Sequence, residues 1–290
     1  MNSNIDGPLK NISDTAFLVA TYRAIESERP DALFKDPFAS LLVGDHGRSI
    51  VNKMSGGKSQ SWFLVARTSI LDSWIIKLIE NEKIDTVLNL AAGLDTRAYR
   101  LPLPTSLKWF DVDLPAILTH KEHILKSFSP TCRFESIKLD LSDSIARSHF
   151  FKRVSQESKK TLVISEGFLM YLNPEQAANL ATELSQYPAF QFWLAELLGP
   201  LQLKWIKLKW GKYFEAANAV MNFAPAEGPG FFVPYGWIPH SFKSSFLEAI
   251  RIGRAPWGAN LLSLFIGFFP KLVTKKLNTA GIALLINAKK

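Results

Sequence analysis

Acidic residues recur along the middle of the chain, each just after a short apolar run: Asp95, Asp111 with Asp113, Asp140, and Glu166. Short apolar runs bounded by turn residues read as buried strands, so these carboxylates fall at strand ends. In open sheets of parallel strands, ligands bind outside the carboxyl ends of the strands, near the point where strand order reverses. Carboxylates placed there accept hydrogen bonds from hydroxyls and attract cations. The interval from Gly93 to Asp113 is 20 residues, the distance at which an acidic residue meets the ribose hydroxyls of a bound nucleoside. Asp113, with Pro115 in the next turn, also reads as a helix cap.

The loop Asn89-Leu90-Ala91-Ala92-Gly93-Leu94-Asp95-Thr96-Arg97 discriminates among nucleoside cofactors. A dinucleotide needs several glycines and an open helix N-terminus for its diphosphate. Here Gly93 is the one glycine, and Asp95 puts a negative charge where the diphosphate would lie. S-adenosylmethionine has no phosphate and carries a sulfonium and an ammonium, so an acidic loop suits it. Arg67, upstream, is a candidate partner for the carboxylate of that cofactor; an ordinary exposed arginine is the plainer reading.

The elements that must position these residues follow from periodicity. Thr15–Ser27 and Ser61–Glu80 read as helices. From Lys83 the pattern changes to strands at Thr86–Leu90, Lys108–Val112, Phe134–Leu139, Thr161–Ser165 and Phe190–Leu194. Helices at Leu114–Lys126, Ser142–Val154 and Pro174–Gln186 lie between them. Gly236–Phe242 and Gly281–Asn287 complete seven strands, with a helix at Ser244–Ile252. Such alternation implies a mostly parallel sheet covered on both faces. The expected architecture is α/β: a Rossmann-like seven-stranded domain over residues 83–290, with a helical cap over residues 1–82.

Composition narrows the function classes. Apolar residues make up 47% and charged residues 21%, values of a globular chain rather than a disordered one. A lone cysteine, Cys132, excludes a disulfide framework within the chain and a cysteine-rich zinc site, and points to a reducing compartment. His120 and His123 lack the i, i+4 spacing of a zinc pair, and no metal site is expected. No run reaches the roughly 18–20 apolar residues of a membrane span; the best, Leu261 to Val273, is broken by Ser263, Gly267, Pro270 and Lys271. No secretory signal is visible at the N-terminus, so the cytoplasm is the expected location.

The formal net charge is +8, which raises anionic partners. Lys204, Trp205, Lys207, Lys209, Trp210 and Lys212 interleave bases with aromatics, as a nucleic-acid strip would. On a helix, however, Leu198, Leu201, Trp205 and Leu208 share a face, and the expectation is a solvated basic face over a buried apolar stripe. Specific nucleic-acid binding is not expected. Gly56-Gly57-Lys58-Ser59 lacks the first glycine and the preceding strand of a phosphate loop.

Several motifs occur together and in order: Thr15-Ala16-Phe17 through Tyr22-Arg23-Ala24, Glu26 through Phe34, Asp36-Pro37-Phe38-Ala39, Arg67-Thr68, Asn89–Arg100, Asp111–Pro115, Ile164–Leu172, Gly236-Trp237, and Gly253 through Trp257. Over about residues 15–288 this combination resembles the leucine carboxyl methyltransferase family, which includes polyketide O-methyltransferases. The resemblance implies a class I methyltransferase fold with S-adenosylmethionine as cofactor. It implies cofactor contacts at Arg67, Ala91, Gly93, Asp113, Asp140, Leu141 and Glu166. The family usually has glycine where this chain has Ala91. If that position needs a positive φ, Ala91 costs about 1 kcal/mol or more.

A carboxylate acceptor, with a reference pKa near 4, is already ionised at neutral pH and needs no general base. That matches the lack of a catalytic constellation among the five histidines. Tyr22, Arg23 and Tyr171 are candidates to face the acceptor. An Arg23–Glu26 pair and core packing of Tyr171 are their plainer readings. The leading expectation is methylation of a small-molecule carboxylic acid. Alternatives are a protein C-terminal carboxyl methyltransferase and a non-catalytic binding protein on the same fold. Acceptor identity and oligomeric state are left open.

Overall fold

Strands β1 (Thr86–Leu90) and β4 (Thr161–Ser165) are buried at every residue, which requires a layer of structure on each face. The computed structural model describes residues 7–54, 56, 61–256, 258–259 and 279–289. Within them, β1, β2 (Lys108–Asp113), β3 (Arg133–Lys138), β4, β5 (Phe190–Leu197), β6 (Trp237–Ser244) and β7 (Gly281–Asn287) form one sheet in the order β3-β2-β1-β4-β5-β7-β6. The pairings among the first five strands are parallel, and β7 runs antiparallel to both β5 and β6. Pro239 lies on edge strand β6, beside a register shift, where its missing N–H does least harm.

One face of the sheet is covered by α6 (Ser144–Glu157) and α7 (Pro174–Ser185). Phe150, Phe151, Leu180 and Leu184 pack there with Leu88, Val112, Val163 and Trp193. Both helices are firmly started: Asp143 accepts the N–H groups of Ile145 and Ala146 at 3.0 Å, and Asn173 with Gln176 forms a reciprocal capping box. The opposite face is covered by α3 (Ser61–Glu82), whose Ile70, Leu71, Ile75 and Leu78 pack with Val87, Trp109, Ile164 and Phe192. Helices α1 (Asp14–Ser27), α2 (Ala39–Lys53) and α5 (Pro115–Leu125) share a third cluster built on Ala20, Leu42, Val43, Ile117 and Leu118. The remaining α-helices among the described residues are α4 (Arg97–Arg100), α8 (Pro200–Ala216) and α9 (Ser245–Arg251).

The seven-stranded, mostly parallel sheet is as expected, with β1, β4 and β7 in the expected bounds. Helix α2 was not anticipated. Gly44, at φ 49°, breaks its helical backbone, so neither half is long enough to show a clear period. The stripe on α8 is a correction. Leu201, Trp205 and Leu208 do share a face, but that face is exposed, and the buried residues are Ile206, Trp210 and Phe214. The helix carries two apolar stripes, and spacing alone does not tell which turns inward. The Leu261–Val273 run and residues 57–59 of the glycine-lysine loop lie outside the described residues. Among the described residues, no helix is long and apolar enough to cross a membrane.

Candidate active site

Strand order reverses between β1 and β4. Past their carboxyl ends the chain leaves a cavity of about 550 Å³, in the position where open α/β sheets bind ligands. Its polar half is made by strand-end segments: Ala91–Asp95 after β1, Asp113 closing β2, Leu139–Ser142 after β3 and Glu166–Gly167 after β4. Its other half is apolar, with Phe63 and Leu64 from α3, Met170, Leu198, and Ile206, Trp210 and Phe214 from α8. Tyr22 and Arg23 of α1 close one side.

The β1 loop is held by backbone geometry and by one carboxylate. Ala91 and Gly93 both have φ near +52°, a region that suits glycine and strains an L side chain. A Cβ on Gly93 would lie 3.0 Å from the Ala16 Cβ, so the position needs glycine for space as well. The Gly93 N–H donates to Asp113 Oδ2 at 2.6 Å, and the Leu114 N–H donates to Oδ1 at 2.7 Å. Asp113 is therefore no helix cap: the N-cap of α5 is Leu114, with no side-chain cap bond. Burial raises the Asp113 carboxyl above its ordinary value, partly offset by these two N–H groups.

A buried ion network lies beneath this loop. Arg67, only 3% exposed, donates from Nη1 to both Glu196 oxygens at 3.0 and 2.8 Å and holds its Nε 2.8 Å from Glu166. Arg97 donates from Nη1 to Asp95 at 2.7 Å and to Glu166, and from Nε to Asp72 at 2.7 Å. Arg100 grips the same Asp72, and Lys121 pairs with Asp111. Burial opposes ionisation of Glu166 and Asp95, but the neighbouring cations outweigh it and both carboxyls sit below their usual range. Glu196 goes the other way: burial raises it more than Arg67 lowers it.

These contacts correct the expectation of a loop with free negative charge. Asp95, Asp111 and Glu166 are paired internally, leaving Asp113 and the exposed Asp140 as strand-end carboxylates without a cationic partner among the described contacts. Arg67 is not the ordinary surface arginine of the plainer reading. The Arg23–Glu26 pairing is also replaced: Arg23 donates from Nε to Asp36 at 2.8 Å and from Nη2 to the Leu94 carbonyl, while Glu26 takes Arg254 at 2.9 Å. Arg23 thus ties α1 to the β1 loop.

Tyr22 and Tyr171 both line the cavity, and burial pushes each hydroxyl up to about 12. Asp140 accepts the Ser142 N–H at 2.8 Å at the cavity edge, and Leu141 is buried beside it. Sequence reasoning missed Arg97, Asp72 and Glu196. Following the acidic strand-end pattern to the fifth strand would have found Glu196; the apolar wall carries no signal that separates it from core. Among the described residues, no group of three or more His, Cys, Asp or Glu is placed to hold a metal.

The model of the leucine carboxyl methyltransferase family matches residues 16–185. A candidate S-adenosyl-L-methionine-dependent methyltransferase of Parafrankia sp. is 33% identical over 188 residues, covering 61% of this chain and 60% of its own. One from Frankia alni is 34% identical over 183 residues, covering 59% and 63%. The chain therefore spans less than two thirds of the length of these relatives. Among solved structures, a DUF574 family protein from Streptomyces avermitilis aligns with a TM-score of 0.58 at 12% identity, over 94% of this chain and 97% of that one. A candidate methyltransferase from Thermobifida fusca aligns with a TM-score of 0.51 at 14% identity, over 98% and 97%. At these identities the structures show a shared fold. Matched by the family model over more than half its length, the chain belongs to the leucine carboxyl methyltransferase family.

Proposed function

We propose that this protein is an S-adenosylmethionine-dependent O-methyltransferase that esterifies the carboxylate of a small molecule with an apolar body. The observation that carries the reading is one cavity whose polar strand-end half opens into an apolar half, with its unpaired carboxylates, Asp113 and Asp140, both on the strand-end side. The described lining residues include no histidine. The Tyr22 and Tyr171 hydroxyls, near 12, stay protonated, and Glu166 is held ionised by two arginines as a weak base. An acceptor that arrives ionised needs none of them.

The polar half fits the cofactor. Gly93 and Asp113 both line the cavity, and the Asp113 carboxylate, which takes one N–H on each oxygen, keeps lone pairs able to accept ribose hydroxyls. When bound, S-adenosylmethionine supplies an electrophilic methyl group on its sulfonium. Asp113 orients the nucleoside from the end of β2, and Asp140 and Leu141 border it from the end of β3. Arg67 and Arg97 hold Glu166 in place from below. The apolar wall of Met170, Ile206, Trp210 and Phe214 takes the body of the acid and excludes water, leaving orientation as the main source of rate. A single free thiol, Cys132, suits a cytoplasmic setting.

Calorimetric titration tests the cofactor assignment. Saturable binding of S-adenosylmethionine and its demethylated product, with NAD inert, is the expected result. Binding of NAD without binding of the methyl donor would refute it.

A further inference from the structure

We infer that the outer face of α8 docks on an anionic phospholipid surface. The helix is apolar on two sides. Ile206, Trp210 and Phe214 turn inward and line the cavity. Leu201, Trp205 and Leu208, at i, i+4 and i+7, turn outward and are 67%, 39% and 87% exposed. A single exposed leucine needs no explanation, but several on one helical face do. Lys212 falls on the same face, exposed Lys204 stands at its edge, and exposed Lys207 lies off it. Lys209 holds its Nζ 4.9 Å from the Trp205 ring centroid and 5.1 Å from that of Trp210. Glu215 is the one acidic residue against four lysines in the helix.

Leucine and tryptophan on the exposed side of a surface helix, with lysines around the stripe whose stems can snorkel to headgroups, suit a helix lying in the membrane interface. Charge selects the lipid: four lysines on the helix and a net charge of +8 on the chain favour an anionic leaflet. Two rival occupants fit less well. A second copy meeting this face through a two-fold axis would set lysines against lysines. A nucleic-acid strand needs a row of aromatic platforms, whereas Trp210 is buried and Lys209 lies against Trp205. Docking would set one wall of the apolar compartment against the bilayer, since α8 is that wall. The inference rests on the surface of α8 and stands independently of methyl transfer.

Flotation of the full chain with vesicles of phosphatidylcholine, alone or mixed with phosphatidylglycerol, provides the test. The protein should float with the mixed vesicles, and part of that binding should survive physiological salt, because apolar insertion is not screened. The double substitution Leu201→Glu with Leu208→Glu should weaken partitioning by about tenfold or more at an unchanged melting temperature. Lys204→Glu with Lys212→Glu should weaken it too, giving a second reading should the first variant fold poorly. Absence of flotation with the anionic vesicles would overturn the inference, as would flotation indifferent to both double variants. A dimer or salt-resistant RNA complex that these substitutions dissolve, in a protein that does not float, would assign the face to that partner instead.

Discussion

Asp113 accepts the Gly93 N–H at 2.6 Å, joining the end of β2 to the loop after β1 across 20 residues of sequence. One carboxylate thus fixes the shape of the loop and lines the cavity beside Gly93. Replacing Asp113 with alanine should weaken binding of S-adenosylmethionine by about 1–3 kcal/mol, the cost of losing a charged hydrogen-bond partner. The fold should persist, and Asp113→Asn, which keeps an acceptor for Gly93, should fall in between. A variant that loses stability while calorimetry shows unchanged cofactor affinity would leave Asp113 a purely structural role.

Ala91 holds φ at 52°, where a Cβ is strained. Ala91→Gly should relieve about 1 kcal/mol of strain, less the entropy that glycine adds to the unfolded chain. A small net rise in melting temperature is expected, with cofactor affinity unchanged or improved. A fall in both would mean that the Ala91 methyl makes a contact worth more than the strain.

Arg67 stands between two buried carboxylates, Glu166 and Glu196. Arg67→Met should destabilise the protein by about 3–5 kcal/mol, because both acids lose a buried partner. Urea denaturation measures this directly. If Arg67 served only to clamp the cofactor, stability of the ligand-free protein would hardly change.

Acid should unfold the protein through the same network. The folded Asp95, Glu166 and Asp36 carboxyls lie below their ordinary values of 3.8, 4.5 and 3.8. Their stabilisation is present above those values and is lost as pH falls toward the folded ones. Asp113 and Glu196, raised by burial, act with the opposite sign, weakening the fold as pH rises from their ordinary values through their raised ones. Urea midpoints should therefore drop steeply below about pH 4, and Asp95→Asn should flatten that limb. An unchanged limb in the variant would mean that the Asp95–Arg97 pair contributes nothing to the pH dependence.

The sheet was legible because parallel strands buried on both faces are continuous apolar runs, as in Thr86–Leu90 and Thr161–Ser165. The cavity was legible because a ligand site is tied to the ends of such strands, which is how Gly93, Asp113 and Asp140 could be named. The pairing of charges was not legible. Arg67 meets Glu196 across 129 residues and Arg97 meets Glu166 across 69, separations at which no periodicity links two side chains. Nor was the orientation of α8: its inner and outer stripes are both apolar, and the choice depends on which neighbours the tertiary fold brings to it. Ala91 sits between these cases. The resemblance flagged the position, and the backbone angle gave the reason.

Transfer of a labelled methyl group from S-adenosylmethionine to a panel of apolar carboxylic acids, followed by mild alkali, tests the carboxyl assignment most directly. Esters should release labelled methanol, and the rate should stay flat from about pH 7 to 9, since the acceptor acid is ionised well below neutrality. Tyr22→Phe and Tyr171→Phe should leave that profile flat, because hydroxyls near 12 do not act as bases in this range. Alkali-stable label, or a rate that keeps climbing across the same interval, would contradict carboxyl methylation and point to an acceptor that the protein must itself deprotonate.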